Sequence, residues 1–265
     1  RLHGDGRRPA VDRFLDVWHV RSLDGGTRWS EPQPIFEGYV GAIVSALELD
    51  SGRLIVPFGY HVPGRPQSHP TGQIITTVAY SDDRGATWRL SDAELTAPCF
   101  PGFNGNNHGA CEPAVVQRAD GVVWMLMRTQ TGVLYESFSE NGVHWTPARP
   151  SRFYASTSPC ALVRLADDRL VLVWNNCAMP PRVDGQGVYG GRDVLHAAIS
   201  DDNGRTWRGF REIYRDPLRN DSPPRRGDRG TAYPGATVLP GGGIAVCTGQ
   251  GAGRRALILL SLIHI

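Results

Sequence analysis

Glu112 and Arg128 are the first residues to suggest chemistry. They stand 16 positions apart. Between them lie a strand-like run at 114–117, the turn pair Asp120-Gly121 and a second apolar run at 122–127. A hairpin of that form sets the opening residue of one strand beside the closing residue of the next. A carboxylate and a guanidinium are therefore expected side by side at one end of two adjacent strands. A planar five-donor fork suits a planar anion, and the adjacent carboxylate suits proton transfer. An exposed edge pair is the plain alternative. The stretch 103–108 just upstream is polar and Gly-rich, as a pocket loop is, with Asn107 and His108 as candidate contacts. His108 and Cys111 are residue types that bind metals, but no second pair has ligand spacing, so no metal and no cofactor is expected.

The chain that must position these groups has 265 residues, 32 of them Gly and 20 Pro. That Gly and Pro share exceeds the roughly 12% of average proteins and argues against a helical bundle. With 40% hydrophobic residues the chain is not a low-complexity disordered one either. No 18-residue apolar run is present, so no transmembrane helix is expected. The 28 basic residues, all Arg, nearly balance 26 acidic ones. A net charge of +2 gives no field for a polyanion, and no nucleic-acid partner is expected. Five Cys at irregular spacing form neither CxxC pairs nor a disulfide framework.

An octet supplies the architecture. Ser22-Leu23-Asp24-Gly25-Gly26-Thr27-Arg28-Trp29 returns as Ser81-Asp82-Asp83-Arg84-Gly85-Ala86-Thr87-Trp88 and as Ser200-Asp201-Asp202-Asn203-Gly204-Arg205-Thr206-Trp207. A copy one residue shorter is Ser139-Glu140-Asn141-Gly142-Val143-His144-Trp145. The first residues of successive copies are 59, 58 and 61 positions apart. Asp or Asn accepts from nearby backbone amides, Gly supplies a positive φ, and Trp packs on neighbouring strands, which is a hairpin turn. Each copy follows a strand-like run (15–20, 74–80, 133–138, 194–199). Further β runs lie between copies, so about four short strands fit each unit. Four-stranded units repeated around an axis are propeller blades.

The octet resembles the Asp-box, S-x-D-x-G-x-x-W, of the sialidase (neuraminidase) superfamily. The resemblance covers the chain from about Asp12 to Gly249 and implies a six-bladed, all-β propeller. Asp-boxes also occur in non-enzymatic propellers and sit on the rim, so Asp24, Asp83, Asn141 and Asp202 are expected to be structural. What the resemblance implies for chemistry is more specific. Sialic acid carries a carboxylate on its anomeric carbon, which repels a carboxylate nucleophile. A Tyr therefore attacks, a Glu is its base, an Asp is the acid/base and three Arg hold the substrate carboxylate.

Carried over position by position, the resemblance makes Asp12 the acid/base, ahead of the strand that leads to the first box. Asp5 and Asp16 are its rivals. Glu112, in Gly109-Ala110-Cys111-Glu112-Pro113, takes the place of the base, and Arg128 that of a carboxylate-binding Arg. Arg192, eight residues ahead of Ser200, takes the place of another. Tyr233, in Thr231-Ala232-Tyr233-Pro234-Gly235, is the candidate nucleophile, and its hydroxyl is expected within hydrogen-bond reach of Glu112. Pro234 departs from the family, as does 248–250, which reads Thr-Gly-Gln where an acidic residue is expected. Arg1, Arg7 and Tyr189 are further pocket candidates.

The blade-one Arg of the triad has no counterpart here. At about 60 residues per blade, six blades need roughly 360, so the chain is expected to be one propeller domain over residues 1–265, cut at both ends. The implied function is exo-α-sialidase action on a sialylated glycan. The alternatives are hydrolysis or transfer of a related acidic sugar, and a non-catalytic propeller that binds glycans. Bacterial relatives imply a secreted or periplasmic setting.

Overall fold

The computed structural model describes residues 2–3, 14–62, 73–98, 109–177, 191–219, 230–249 and 256–261. The described residues are all-β. Three blades are complete antiparallel four-stranded meanders. Blade two is Leu47–Glu48 (β5), Leu54–Val62 (β6), Gln73–Ser81 (β7) and Arg89–Leu90 (β8). Blade three is Cys111–Gln117 (β9), Val123–Arg128 (β10), Val133–Ser139 (β11) and Arg149–Tyr154 (β12). Blade four is Ala161–Arg164 (β13), Leu170–Trp174 (β14), Val194–Ser200 (β15) and Arg208–Arg215 (β16). Ahead of them two ribbons pair Leu2–His3 (β1) with Phe14–Leu15 (β2) and Val17–His19 (β3) with Gln33–Phe36 (β4). After them come Gly235–Val238 (β17), Ile244–Thr248 (β18) and Ala256–Leu260 (β19). Together these make an incomplete propeller of the sialidase type.

Strands inside the blades are apolar on both faces because each face meets a different neighbour. In β10, Val123, Met125 and Met127 pack on blade two, with Leu49 and Ile55. Trp124 and Leu126 face the other way, onto Leu170, Leu172 and Trp174 of blade four. In β14, Val171 and Val173 join Ile244 and Val246 of blade five. The pairing with β9 shifts register between Leu126 and Arg128, and Arg128 ends the strand fully buried.

The boxes close the turn between the third and fourth strands of a blade. Ser81 Oγ donates to Asp83 Oδ1 at 2.8 Å, and the Asp83 carboxylate accepts from the Thr87 amide at 2.8 Å and its hydroxyl at 2.6 Å. Ser200, Asp202 and Thr206 repeat the pattern. Asp24 binds the Arg28 amide, and Asn141 of the short copy binds the amides of Val143 and His144. The second, third and fourth boxes also dock onto the preceding blade. Gly204 (φ 82°) is such a contact, since a Cβ there would lie 2.9 Å from the Trp124 ring. Trp88, Trp145 and Trp207 pack into the interface with the preceding blade. Trp29 departs from the expected packing and is 61% exposed, held by its Nε1–H donating to the Gly26 carbonyl.

Arginine accounts for a further contact that sequence does not reveal. Arg21, Arg53 and Arg118 each reach into the next blade and donate to the carbonyl just ahead of a box glycine. The acceptors are Arg84 O at 3.1 Å, Asn141 O at 2.7 Å and Asn203 O at 3.5 Å. At the opposite ends of the strands, parallel backbone bridges join Leu15 to Tyr39 and Ile74 to Gly109. Blade seams are thus tied at both poles. The segment that leads into blade two pairs only briefly. Only Tyr39 and Val40 are bridged: the Val40 amide donates to the Leu15 carbonyl of the preceding ribbon, the Tyr39 carbonyl accepts from His61 of β6, and the regular ladder resumes at β5.

The Asp202 carboxyl is held down at about 2 against an ordinary 3.8, first by the Thr206 hydroxyl and then by its amide. A depressed carboxyl stabilises the fold above its ordinary value, and that contribution disappears as pH falls through the lowered one. Asp202→Ala is therefore expected to melt below wild type at neutral pH, with the gap narrowing from about pH 4 to about pH 2. A gap constant over that range in thermal melts would contradict the role given to the carboxylate.

Candidate functional site

β9 opens and β10 ends at the pole opposite the boxes. Glu112 is the second residue of β9 and Arg128 the last of β10, with Arg128 in register with Cys111. The hairpin therefore does what its length implied. Arg128 Nη1 donates to Glu112 Oε2 at 2.5 Å, with side-chain exposures of 0% and 6%.

Tyr233 arrives from blade five, two residues ahead of β17. Its hydroxyl donates to Glu112 Oε1 at 2.5 Å and accepts from Arg128 Nη1 at 2.8 Å. The two carboxylate oxygens are thus divided between a phenol and a guanidinium. Arg192, two residues ahead of β15 and buried, lies with its guanidinium carbon 5.8 Å from the Tyr233 ring centroid, the same distance as Arg128. Arg192 Nη2 donates to the Thr157 carbonyl. Glu112 (φ 47°) and Tyr233 (φ 57°) both occupy the left-handed region. For non-glycine residues such backbone costs about 1–3 kcal/mol each and persists only where packing over-determines it.

Burial raises the Tyr233 phenol above its ordinary value. Arg128 pulls it back, while the Glu112 charge and hydrogen bond push further up. The resting phenol is neutral and donates its hydrogen bond to Glu112. Cys111, next to Glu112, is pushed up to about 12, chiefly by burial. A thiol so protonated is a poor nucleophile; the group hydrogen-bonded to Glu112 is the Tyr233 hydroxyl.

Four of the sequence candidates, Glu112, Arg128, Arg192 and Tyr233, converge. Asp12, Arg1, Arg7, Asn107, His108 and Tyr189 lie outside the described residues. Asp16 is the single residue between β2 and β3, where its carboxylate accepts from the Gly38 amide at 3.1 Å. Among the described residues no group of three or more His, Cys, Asp or Glu is assembled to hold a metal, and no helix is long and apolar enough to cross a membrane.

Sequence reading missed a set of buried hydroxyls and amides behind the site: Ser158, Asn175, Thr231 and Thr248. Thr248 stands where the resemblance expects an acidic residue, and its hydroxyl donates to the Thr231 carbonyl at 2.6 Å. The position supports the Tyr233 segment through a neutral group.

Box turns at one pole and an acid–guanidinium–phenol cluster at the other define an Asp-box β-propeller of the sialidase type. The chain belongs to the BNR repeat-like domain family, whose profile matches residues 9–246. Its fold is similar to that of a variant of NanB sialidase from Streptococcus pneumoniae (18% identity, TM-score 0.63, covering 95% of this chain and 36% of that one). It is also similar to a Hadza microbial sialidase (16% identity, TM-score 0.65, 98% and 47%). A third similar structure is a Dyadobacter fermentans protein of unknown function (16% identity, TM-score 0.56, 95% and 73%). The chain thus spans less than half the length of the two sialidases, and identities this low establish fold alone.

Folding buries the Cys111 and Cys160 thiols and raises both to about 12 from 9.0. The folded form keeps protons that the unfolded chain sheds above the ordinary value, so stability is whole below about pH 9 and falls as pH rises towards about 12. Without lysine, this range is dominated by Cys and Tyr. The denaturant midpoint is expected to decline between about pH 9 and about pH 11. A flat midpoint would show that these buried groups ionise as freely folded as unfolded.

Proposed function

We propose that this chain carries the catalytic face of an exo-α-sialidase that hydrolyses terminal sialic acids with retention of configuration. The observation that carries the reading is the Tyr233–Glu112 hydrogen bond of 2.5 Å, with Arg128 and Arg192 flanking the Tyr233 ring. A phenol is the fitting nucleophile where the substrate's own carboxylate repels an anion. Because burial opposes a free phenolate, the proton passes to Glu112 as the phenol oxygen attacks the anomeric carbon. The glycosidic bond breaks, and the departing oxygen takes a proton from an acid, the role proposed for Asp12. Water then attacks the tyrosyl-linked sugar with that acid acting as base, and Glu112 returns the proton to Tyr233.

Arg128 and Arg192 are the proposed clamp for the substrate carboxylate. Their buried guanidinium groups present planar forks that a carboxylate can meet with paired charge-assisted bonds. Arg128 already contacts both members of the acid–base pair, so an anion drawn to it is aligned with the nucleophile. A related acidic sugar would be held through the same two guanidinium groups.

Turnover of a fluorogenic sialoside tests the reading. Glu112→Gln is expected to lower kcat about 10²–10⁴-fold, and Tyr233→Phe at least as much. Undiminished turnover in Tyr233→Phe would remove the nucleophile assignment. Release of other acidic sugars but not sialic acid would move the activity to that alternative.

A further inference from the structure

The site draws residues from separate blades, so something must fix blade five against blade four. Asn175, immediately after β14, is fully buried and every polar atom of its carboxamide is engaged. Nδ2 donates to the Val194 carbonyl at 2.8 Å and to Thr231 Oγ1 at 2.8 Å. Oδ1 accepts from Ser158 Oγ at 2.7 Å. Val194 is two residues after Arg192, and Thr231 is two residues before Tyr233. One amide group therefore bridges the segments that carry the proposed anion-binding Arg and the proposed nucleophile.

Thr231 completes the bridge. Its amide donates to the Arg192 carbonyl at 2.7 Å, and its hydroxyl donates to the same oxygen at 3.1 Å. The approach is close enough that a Cβ on Gly230 (φ 80°) would fall onto the Arg192 carbonyl. The Arg192 guanidinium is anchored separately, on the Thr157 carbonyl. The polar groups of Asn175 and Thr231 are buried and paired, so removing one hydroxyl leaves a buried donor unpaired.

We propose that Asn175 and Thr231 form a positioning clamp that sets Tyr233 at its working distance from Glu112 and Arg192. The inference rests on the sialidase reading for its chemistry but not for its geometry. Tyr233 holds a left-handed backbone that its own strand does not enforce, and the clamp fixes the chain two residues upstream. Loosening it moves the phenol while leaving the Arg192 fork on Thr157. The chemical step is then impaired more than substrate binding.

The test compares Thr231→Val, which keeps shape but loses the hydroxyl, with Thr231→Ser, which restores it. Asn175→Ser, which removes the two-pronged donor, is the second disruptive variant. Each full chain is labelled with 3-fluorotyrosine, and the Tyr233 fluorine resonance is assigned by its loss in Tyr233→Phe. Wild type and Thr231→Ser are expected to share one resonance position, while Thr231→Val and Asn175→Ser shift or split it. On a fluorogenic sialoside, kcat is expected to fall about tenfold to a hundredfold in the two disruptive variants, with KM changed less than about threefold.

An unchanged Tyr233 resonance in either folded disruptive variant, with lowered melting temperature alone, would make the pair merely structural and overturn the proposal. Failure of both disruptive variants to fold would do the same. If wild type turns over no sialoside, the functional reading fails, while the fluorine spectra still decide the clamp.

Discussion

The site is organised around a buried ion pair. Arg128 and Glu112 meet at 2.5 Å with almost no solvent on either side chain. Taking both charges out of water costs several kcal/mol per ion, and only good geometry with further hydrogen bonds offsets that. The second Glu112 oxygen must therefore find a donor, and it finds the Tyr233 hydroxyl. Burial of the pair thus demands that a residue 121 positions away in sequence arrive within hydrogen-bond distance. Two left-handed backbones, at Glu112 and Tyr233, are the local cost of that meeting.

The propeller meets the demand by making blade four a spacer packed on both faces. Its β14 sends Leu170, Leu172 and Trp174 to blade three and Val171 and Val173 to blade five. A close-packed interior of this kind transmits position with little slack. Both poles then lock the seams. Backbone bridges and buried hydroxyls act at the site pole, and arginine-to-carbonyl contacts act beside the box turns. The fully arginine basic complement has a physical use here, since a guanidinium can bind a carbonyl and a carboxylate at once. Arg53 does so with Asn141 O and Asp82.

Much of this was legible in the sequence. The boxes announced themselves because their hydrogen bonds need Ser, Asp and Gly at fixed offsets, and the Glu112–Arg128 adjacency followed from one hairpin. Tyr233 was found by resemblance rather than by spacing, because a contact between blades three and five leaves no local pattern. The clamp was invisible for the same reason. Asn175 and Thr231 are 56 positions apart, and Asn175 reads as an ordinary strand end. The arginine contacts were hidden because a backbone carbonyl has no sequence signature.

The central claim is that Tyr233, with Glu112 as its base, forms the covalent bond to the sugar. The direct measurement is mass spectrometry of the protein after exposure to a 2,3-difluorinated sialic acid, which slows hydrolysis of a covalent intermediate. The account predicts a sugar adduct on the peptide containing Tyr233, absent in Tyr233→Phe. An adduct on another residue, or turnover of sialosides with no adduct at Tyr233, would contradict it.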